Sequence, residues 1–145
     1  MGSFPRCRFR DLLPNALLGL HNPGPKNSIT DIPGVTASTV TLHNPPNTLT
    51  GVTAILPRAN IFHNSCFAGL FRFNGNGELT GSHWIAETGL LTSPIMITNT
   101  FSIGAVSEGV LEYIKRAEDE DMLFWGLPIV VSSWRGRVVT AGRNV

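Results

Sequence analysis

The sequence predicts a mixed α/β (α+β) fold, on three observations. Short runs rich in β-branched residues recur between turn residues. One stretch carries a helical apolar stripe. Glycine and proline are plentiful, at 15 and 10 of 145 residues, so turns cut the runs short. The first run is Val35 to Leu42, where Val35, Ala37, Thr39 and Thr41 alternate with Thr36, Ser38, Val40 and Leu42. A loop from His43 to Thr50, containing Pro45-Pro46, separates it from Gly51 to Pro57 (GVTAILP), a strand short and apolar enough to be buried on both faces. Pro94 opens a third run, Ile95-Met96-Ile97, and Leu127 to Val131 (LPIVV) is the last. The helix begins around Ser102. Val106, Val110, Leu111 and Ile114 form one stripe. The acidic run Glu118 to Asp121 suits a helix C-terminus poorly, so the helix is expected to end by about Ala117.

The stretch from Phe67 to Gly104 organises the chain. Asn74-Gly75-Asn76-Gly77 is a strong reversal signal, because Asn and Gly tolerate positive φ. Phe67, Leu70, Phe71 and Phe73 precede it, and Leu79, His83 and Trp84 follow. The pattern reads as a hairpin followed by a buried strand. A second reading stays open, in which two Asn/Gly-rich loops end strands near one site and bare backbone approaches a ligand. Residues 1–26 read as a poorly structured lead interrupted by Pro5, Pro14, Pro23 and Pro25, with room for a short helix over Leu12 to Leu20. Asn27 to Gly34 is a turn-rich entry, and residues 27–145 are expected to form one domain.

The chain is long enough for a real core. Charged residues are 14 % of the chain and the formal net charge is +1, which gives no reason to expect binding to nucleic acid or to an anionic membrane. The two cysteines, Cys7 and Cys66, have no metal-site spacing and are expected to stay reduced. No long apolar leader or 18-residue apolar span is present. A cytoplasmic protein is the default, with Arg6, Arg8 and Arg10 leaving a mitochondrial presequence open.

No self-contained catalytic constellation emerges. The chain lacks a G-x-S-x-G elbow, a Walker loop, a dinucleotide fingerprint and H-E-x-x-H. His21, His43, His63 and His83 are not at ligand spacing, and no metal or other cofactor is called for. His83 beside Trp84 reads as a packed or turn histidine. Glu78 is suited to orienting a loop, and Trp134 to lining a pocket or filling a core.

Four segments in register carry a resemblance. They are Asn27-Ser28-Ile29-Thr30-Asp31-Ile32-Pro33-Gly34-Val35, Gly51-Val52-Thr53-Ala54-Ile55-Leu56-Pro57-Arg58, Phe73-Asn74-Gly75-Asn76-Gly77-Glu78-Leu79-Thr80-Gly81 and Ile97-Thr98-Asn99-Thr100. In this order and spacing they resemble the N-terminal part of the L-aminopeptidase/D-esterase family, which includes the β-peptidyl aminopeptidases. The resemblance extends to about Trp134. It implies an αββα sandwich and a precursor that cuts itself in two. The new N-terminal serine of the second chain is then the nucleophile, with its own α-amino group as base. Such enzymes release N-terminal amino acids from peptides, amides or esters.

Two departures follow. A family member is more than twice this length, so the implied nucleophile lies beyond Val145. The segment resembling the family's E-T-W/Y-D-G reads Ser132-Ser133-Trp134-Arg135-Gly136, and its L-N-D continuation reads Arg137-Val138-Val139. Trp134 keeps the aromatic residue that walls the substrate pocket. Ser132 replaces the glutamate that receives the substrate's ammonium group, and a serine cannot supply that charge. Phe101 stands where the family tends to have histidine. The loops around Asn76 and Asn99 are the remaining candidate pocket residues. The resemblance therefore implies a truncated aminopeptidase, inactive alone. The alternatives are an α-like subunit needing a separate β-like chain, and a non-catalytic binding or assembly module that associates through an exposed apolar sheet face, for example as a homo-oligomer.

Overall fold

A computed structural model describes residues 7, 9–16, 19–44, 48–117 and 126–133. The elements in chain order are α1 (Phe9–Leu12), β1 (Thr36–Asn44), β2 (Thr48–Leu56), β3 (Cys66–Phe67), α2 (Ser82–Thr88), β4 (Leu90–Leu91), β5 (Ile95–Asn99), α3 (Ile103–Ala117) and β6 (Ile129–Ser133). Four strands form one sheet in the order β1-β2-β5-β6, and β3 and β4 form a second, two-stranded ladder.

The hairpin β1–β2 is antiparallel from Thr36↔Leu56 to Asn44↔Thr48. β2 pairs antiparallel with β5, whereas β5 and β6 are parallel, from Ile95↔Ile129 to Asn99↔Ser133. A parallel pair requires a crossover, and α3 provides it. Successive strand residues point to opposite faces, and the β5–β6 pair buries both. On one face Val110 and Ile114 of α3 pack with Ile61, Phe62 and Met96. On the other, Ile129 and Ile95 pack with Ile85 of α2, Leu91 and Leu79. The stripe read from the sequence is thus the packed face of α3, with Val106, Val110 and Ile114 buried.

Entry into β1 is set by a capping box. Ser28 Oγ accepts from the Thr30 amide, and the Asp31 carboxylate accepts from the amides of Ser28 and Lys26. These bonds satisfy donors that a 3-10 turn would otherwise leave free.

Several expectations need correction. No hairpin forms around Asn74–Gly77. Among the described residues, 69–77 pair with no strand, and β3 pairs with β4 instead. The expected second arm is lost because Gly81, at φ 65°, starts α2, so His83 and Trp84 are helical. His83 is exposed rather than packed. β2 starts earlier than read and is half-buried from Thr50 onward rather than buried on both faces. The reason is that α3 lies over β5 and β6, leaving Val52, Ala54 and Leu56 to line an open apolar groove of about 480 Å³ beside it. The short N-terminal helix lies at Phe9–Leu12, before Pro14, rather than after Leu12.

Two glycines flank α2 with left-handed backbone, Gly81 at φ 65° and Gly89 at φ 68°. A Cβ at Gly89 meets nothing, whereas one at Gly81 collides with Cδ1 of the buried Ile129. Gly89→Ala should cost about 1–2 kcal/mol for the backbone conformation. Gly81→Ala should cost clearly more, because Ile129 has no room to yield. Urea unfolding of the two variants side by side checks this order.

Candidate functional site

Asn99 and Ser132 both lie at the carboxyl end of the β5–β6 pair, on opposite faces of the sheet. The ladder sets Thr98 beside Ser132 and Asn99 beside Ser133. On the outer side of β6, residues 78–80 lie antiparallel to it. The Ser132 amide donates to the Glu78 carbonyl (2.9 Å), the Thr80 amide donates to the Val130 carbonyl (3.1 Å), and Leu79 bridges Val131. Thr80 Oγ1 closes this junction by donating to the Pro128 carbonyl (2.7 Å) and accepting from the Val130 amide (2.8 Å). With strands about 4.8 Å apart, Glu78 and Thr98 lie about 10 Å apart across β6.

Ser132 is half-buried, and its Oγ accepts from the Glu78 amide at 2.7 Å. A Cβ on Gly77 would stand 3.0 Å from the same oxygen, so a side chain there would press on the Ser132 hydroxyl. Ser132 therefore holds the Asn76–Glu78 loop to the sheet. Asn76 sits in an Asx turn, its amide donating to Asn74 Oδ1 at 2.9 Å. Its side chain is exposed and makes no hydrogen bond to the described residues. The Glu78 side chain is exposed as well.

Asn99 has a different position. Its Nδ2 donates to Thr50 Oγ1 (2.8 Å) and Ser102 Oγ (2.9 Å), and its Oδ1 accepts from the Phe101 amide (3.0 Å). It thereby caps the short 3-10 turn Thr100–Ser102 that leads into α3 and ties β2 to β5. Thr98 Oγ1 adds a bond to the Gly51 carbonyl. Phe101 projects into solvent. Trp134 lies outside the described residues. Among the described residues no group of His, Cys, Asp or Glu is placed to hold a metal ion. Cys7 and Cys66 are both unpaired.

The structure thus gathers Asn76, Asn99 and Ser132 at one end of the sheet. The bond between Ser132 and the Glu78 amide, 54 positions apart, and the role of Thr80 had no local signal in the sequence. The Asn99 cap did have one, since an Asn before an amphipathic stripe is a helix-start signature.

A neutral hydroxyl, an exposed amide and an exposed carboxylate thus lie around one strand end. Residues 27–143 match the model of peptidase family S58, and the chain belongs to that family. It is 36% identical over 122 residues to the β-peptidyl aminopeptidase BapA of Sphingosinicella microcystinivorans, which takes in 79% of this chain and 30% of that relative. In structure it is similar to a Burkholderia sp. β-aminopeptidase (TM-score 0.76, 43% identity, 88% of this chain and 36% of that one). It is also similar to the L-aminopeptidase D-Ala-esterase/amidase of Ochrobactrum anthropi, described as a prototype for the serine aminopeptidases and a variant of the Ntn hydrolase fold. There the TM-score is 0.69 at 32% identity, over 86% of this chain and 38% of that one. The chain therefore spans about a third of the length of these relatives. Among the described residues no helix is long and apolar enough to cross a membrane.

Asn99→Ala should lower stability by about 1–2 kcal/mol, since it removes a cap and the tie to Thr50 together; denaturant unfolding gives the value. Ser132→Ala should cost only about 0.5–1.5 kcal/mol, because the Glu78 amide is near water. Its distinguishing effect is faster hydrogen exchange at Glu78, read by NMR, with exchange in α3 slowed or quickened only by the global change.

Proposed function

We propose that this chain forms one wall of the substrate pocket of a serine aminopeptidase and hydrolyses nothing by itself. The observation that supports this is the hold of Ser132 on the Asn76–Glu78 loop at the strand end where Asn99 also lies, in a chain matching about a third of each relative. On this reading the ligand is a peptide, amino-acid amide or ester held near its free amine. Asn76 presents its free side-chain amide to the ligand. Asn99 shapes the floor through Thr50 and Ser102. Trp134, the residue after β6, forms the aromatic wall. Ser132 offers a hydroxyl where the family resemblance implies a carboxylate, so the ammonium is held by hydrogen bonding without a paired charge and binds weakly.

The nucleophile belongs to the two-thirds of the family's length that the chain does not span. The resemblance implies an N-terminal serine there. Its α-amine would take the hydroxyl proton as Oγ attacks the substrate carbonyl, and the leaving amine would take that proton as the acyl-enzyme forms. A β-like chain carrying that serine is the partner this reading calls for. Residues 27–145 act as its structural unit, with residues 1–26 as a lead. A cytoplasmic setting fits the two unpaired cysteines, one of them exposed.

The test is incubation of the purified chain with α- and β-amino-acid p-nitroanilides and amides. No release of p-nitroaniline above buffer is expected. Hydrolysis that persists through purification to a single mass overturns the reading.

A further inference from the structure

Asn74-Gly75 and Asn76-Gly77 stand in tandem, and no other asparagine of the chain precedes a glycine. The backbone bends from Gly75 to Gly77, and every residue from Phe71 to Glu78 is exposed. An asparagine before glycine is open to attack by the next residue's nitrogen on its own side-chain carbonyl. Glycine has no Cβ to hinder that approach and rotates with little restriction. Solvent is at hand to complete the reaction.

The fold holds the two pairs differently. Asn74 Oδ1 accepts from the Asn76 amide at 2.9 Å. Turning Cγ of Asn74 onto the Gly75 nitrogen must break that bond. The Asn76 side chain makes no hydrogen bond to the described residues, and neither does the Gly77 amide. Electrophile and nucleophile of the second pair are therefore both unengaged. Asn99, at the same end of the sheet, is the contrast, because Thr50, Ser102 and the Phe101 amide hold both ends of its side-chain amide.

We propose that Asn76-Gly77 is a site of spontaneous deamidation, and that the Asx turn directs the reaction there rather than to Asn74-Gly75. The Gly77 nitrogen gives its proton to a solvent base and bonds to Cγ of Asn76. The bond from Cγ to the side-chain nitrogen breaks, that nitrogen takes up a proton, and ammonia leaves. The five-membered imide then adds one water. Opening at Cγ gives aspartate, and opening at the backbone carbonyl gives isoaspartate. Neither step is a redox change. Either product ionises at neutral pH, so the loop tied to Ser132 gains a negative charge two positions before Glu78. The proposal does not depend on the aminopeptidase reading.

The experiment incubates the purified whole chain at neutral and mildly alkaline pH, then cuts it after Arg72 and Glu78 with trypsin and a glutamate-specific protease. Digestion in heavy-oxygen water marks any conversion during work-up. Tandem mass spectrometry of the Phe73–Glu78 peptide locates the gain of about 1 Da that exchanging NH2 for OH brings. The folded chain should convert Asn76 about fivefold faster than Asn74 or more, as expected where one net hydrogen bond must break first. The rate should rise with pH, because the attacking nitrogen must lose its proton. In the chain unfolded with guanidinium the two positions should react at similar rates. Isoelectric focusing should show an acidic species that Asn76→Gln removes and Asn74→Gln retains. Equal conversion of the two asparagines in the folded chain overturns the proposal. So does a preference that survives unfolding, or a folded chain that stays unmodified while the unfolded chain reacts.

Discussion

The β5–β6 pair is the constraint on which the rest depends. Two parallel neighbours cannot be joined by a turn, so the chain must leave the sheet and return, and α3 is that return. Because the strands alternate, Met96 and Val130 face α3 while Ile95 and Ile129 face α2 and β4. Burying both faces requires both layers. The continuous apolar runs Ile95-Met96-Ile97 and Ile129-Val130-Val131 are the sequence expression of that requirement. β2 then joins the free edge of β5, and residues 78–80 join the free edge of β6. The carboxyl ends of two parallel strands fall together, which is why residues 33 positions apart, Asn99 and Ser132, come to occupy one end of the sheet.

What the sequence revealed divides along the range of the interactions concerned. The stripe of α3 and the alternation of β1 are local patterns, and the structure reproduces both. The reversal signal Asn74-Gly75-Asn76-Gly77 was also local and does produce bends. Its misreading as a hairpin came from what followed. Leu79 has β6 as its neighbour, and Gly81, which lies against Ile129, takes left-handed backbone at the start of α2, so the second arm never forms. Both partners lie about fifty positions away, where periodicity carries no information. The candidate site shows the same division. The cap made by Asn99 is a local motif. The hydroxyl of Ser132 is occupied by a backbone amide from a distant loop, and only coordinates reveal that.

On the proposed reading, Ser132 illustrates how fold and chemistry separate within a family. Membership in peptidase family S58 concerns the sheet, its crossover and the loop that runs beside β6. Here the Ser132 hydroxyl serves those features by accepting from the Glu78 amide. Recognition of an ammonium group is more demanding, because a half-buried cation needs an opposite charge and not merely an oxygen. One substitution can therefore leave the architecture intact and alter what the site binds, since function resides in a few side chains grafted on a shared scaffold.

The distribution of burial gives the molecule an uneven stability. The fully buried side chains Ile61, Ile114, Val130 and Ser93 all belong to the β5–α3–β6 unit or pack beside it. β1 is exposed along its length, and its hold on β2 comes from the ladder and from the hydroxyl pair Thr39–Thr53. Regions poor in buried apolar contacts open at lower free energy than the core, so the hairpin is the looser half of the sheet. Beside the candidate site, the bonds from Asn99 to Thr50 and from Thr98 to the Gly51 carbonyl add to the β2–β5 ladder that joins the two halves. The site end is consequently built on the rigid pair, with the hairpin attached to it by polar bonds rather than by packing. That arrangement lets the uncovered apolar surfaces acquire a neighbour without disturbing the strand ends at which Asn99 and Ser132 lie.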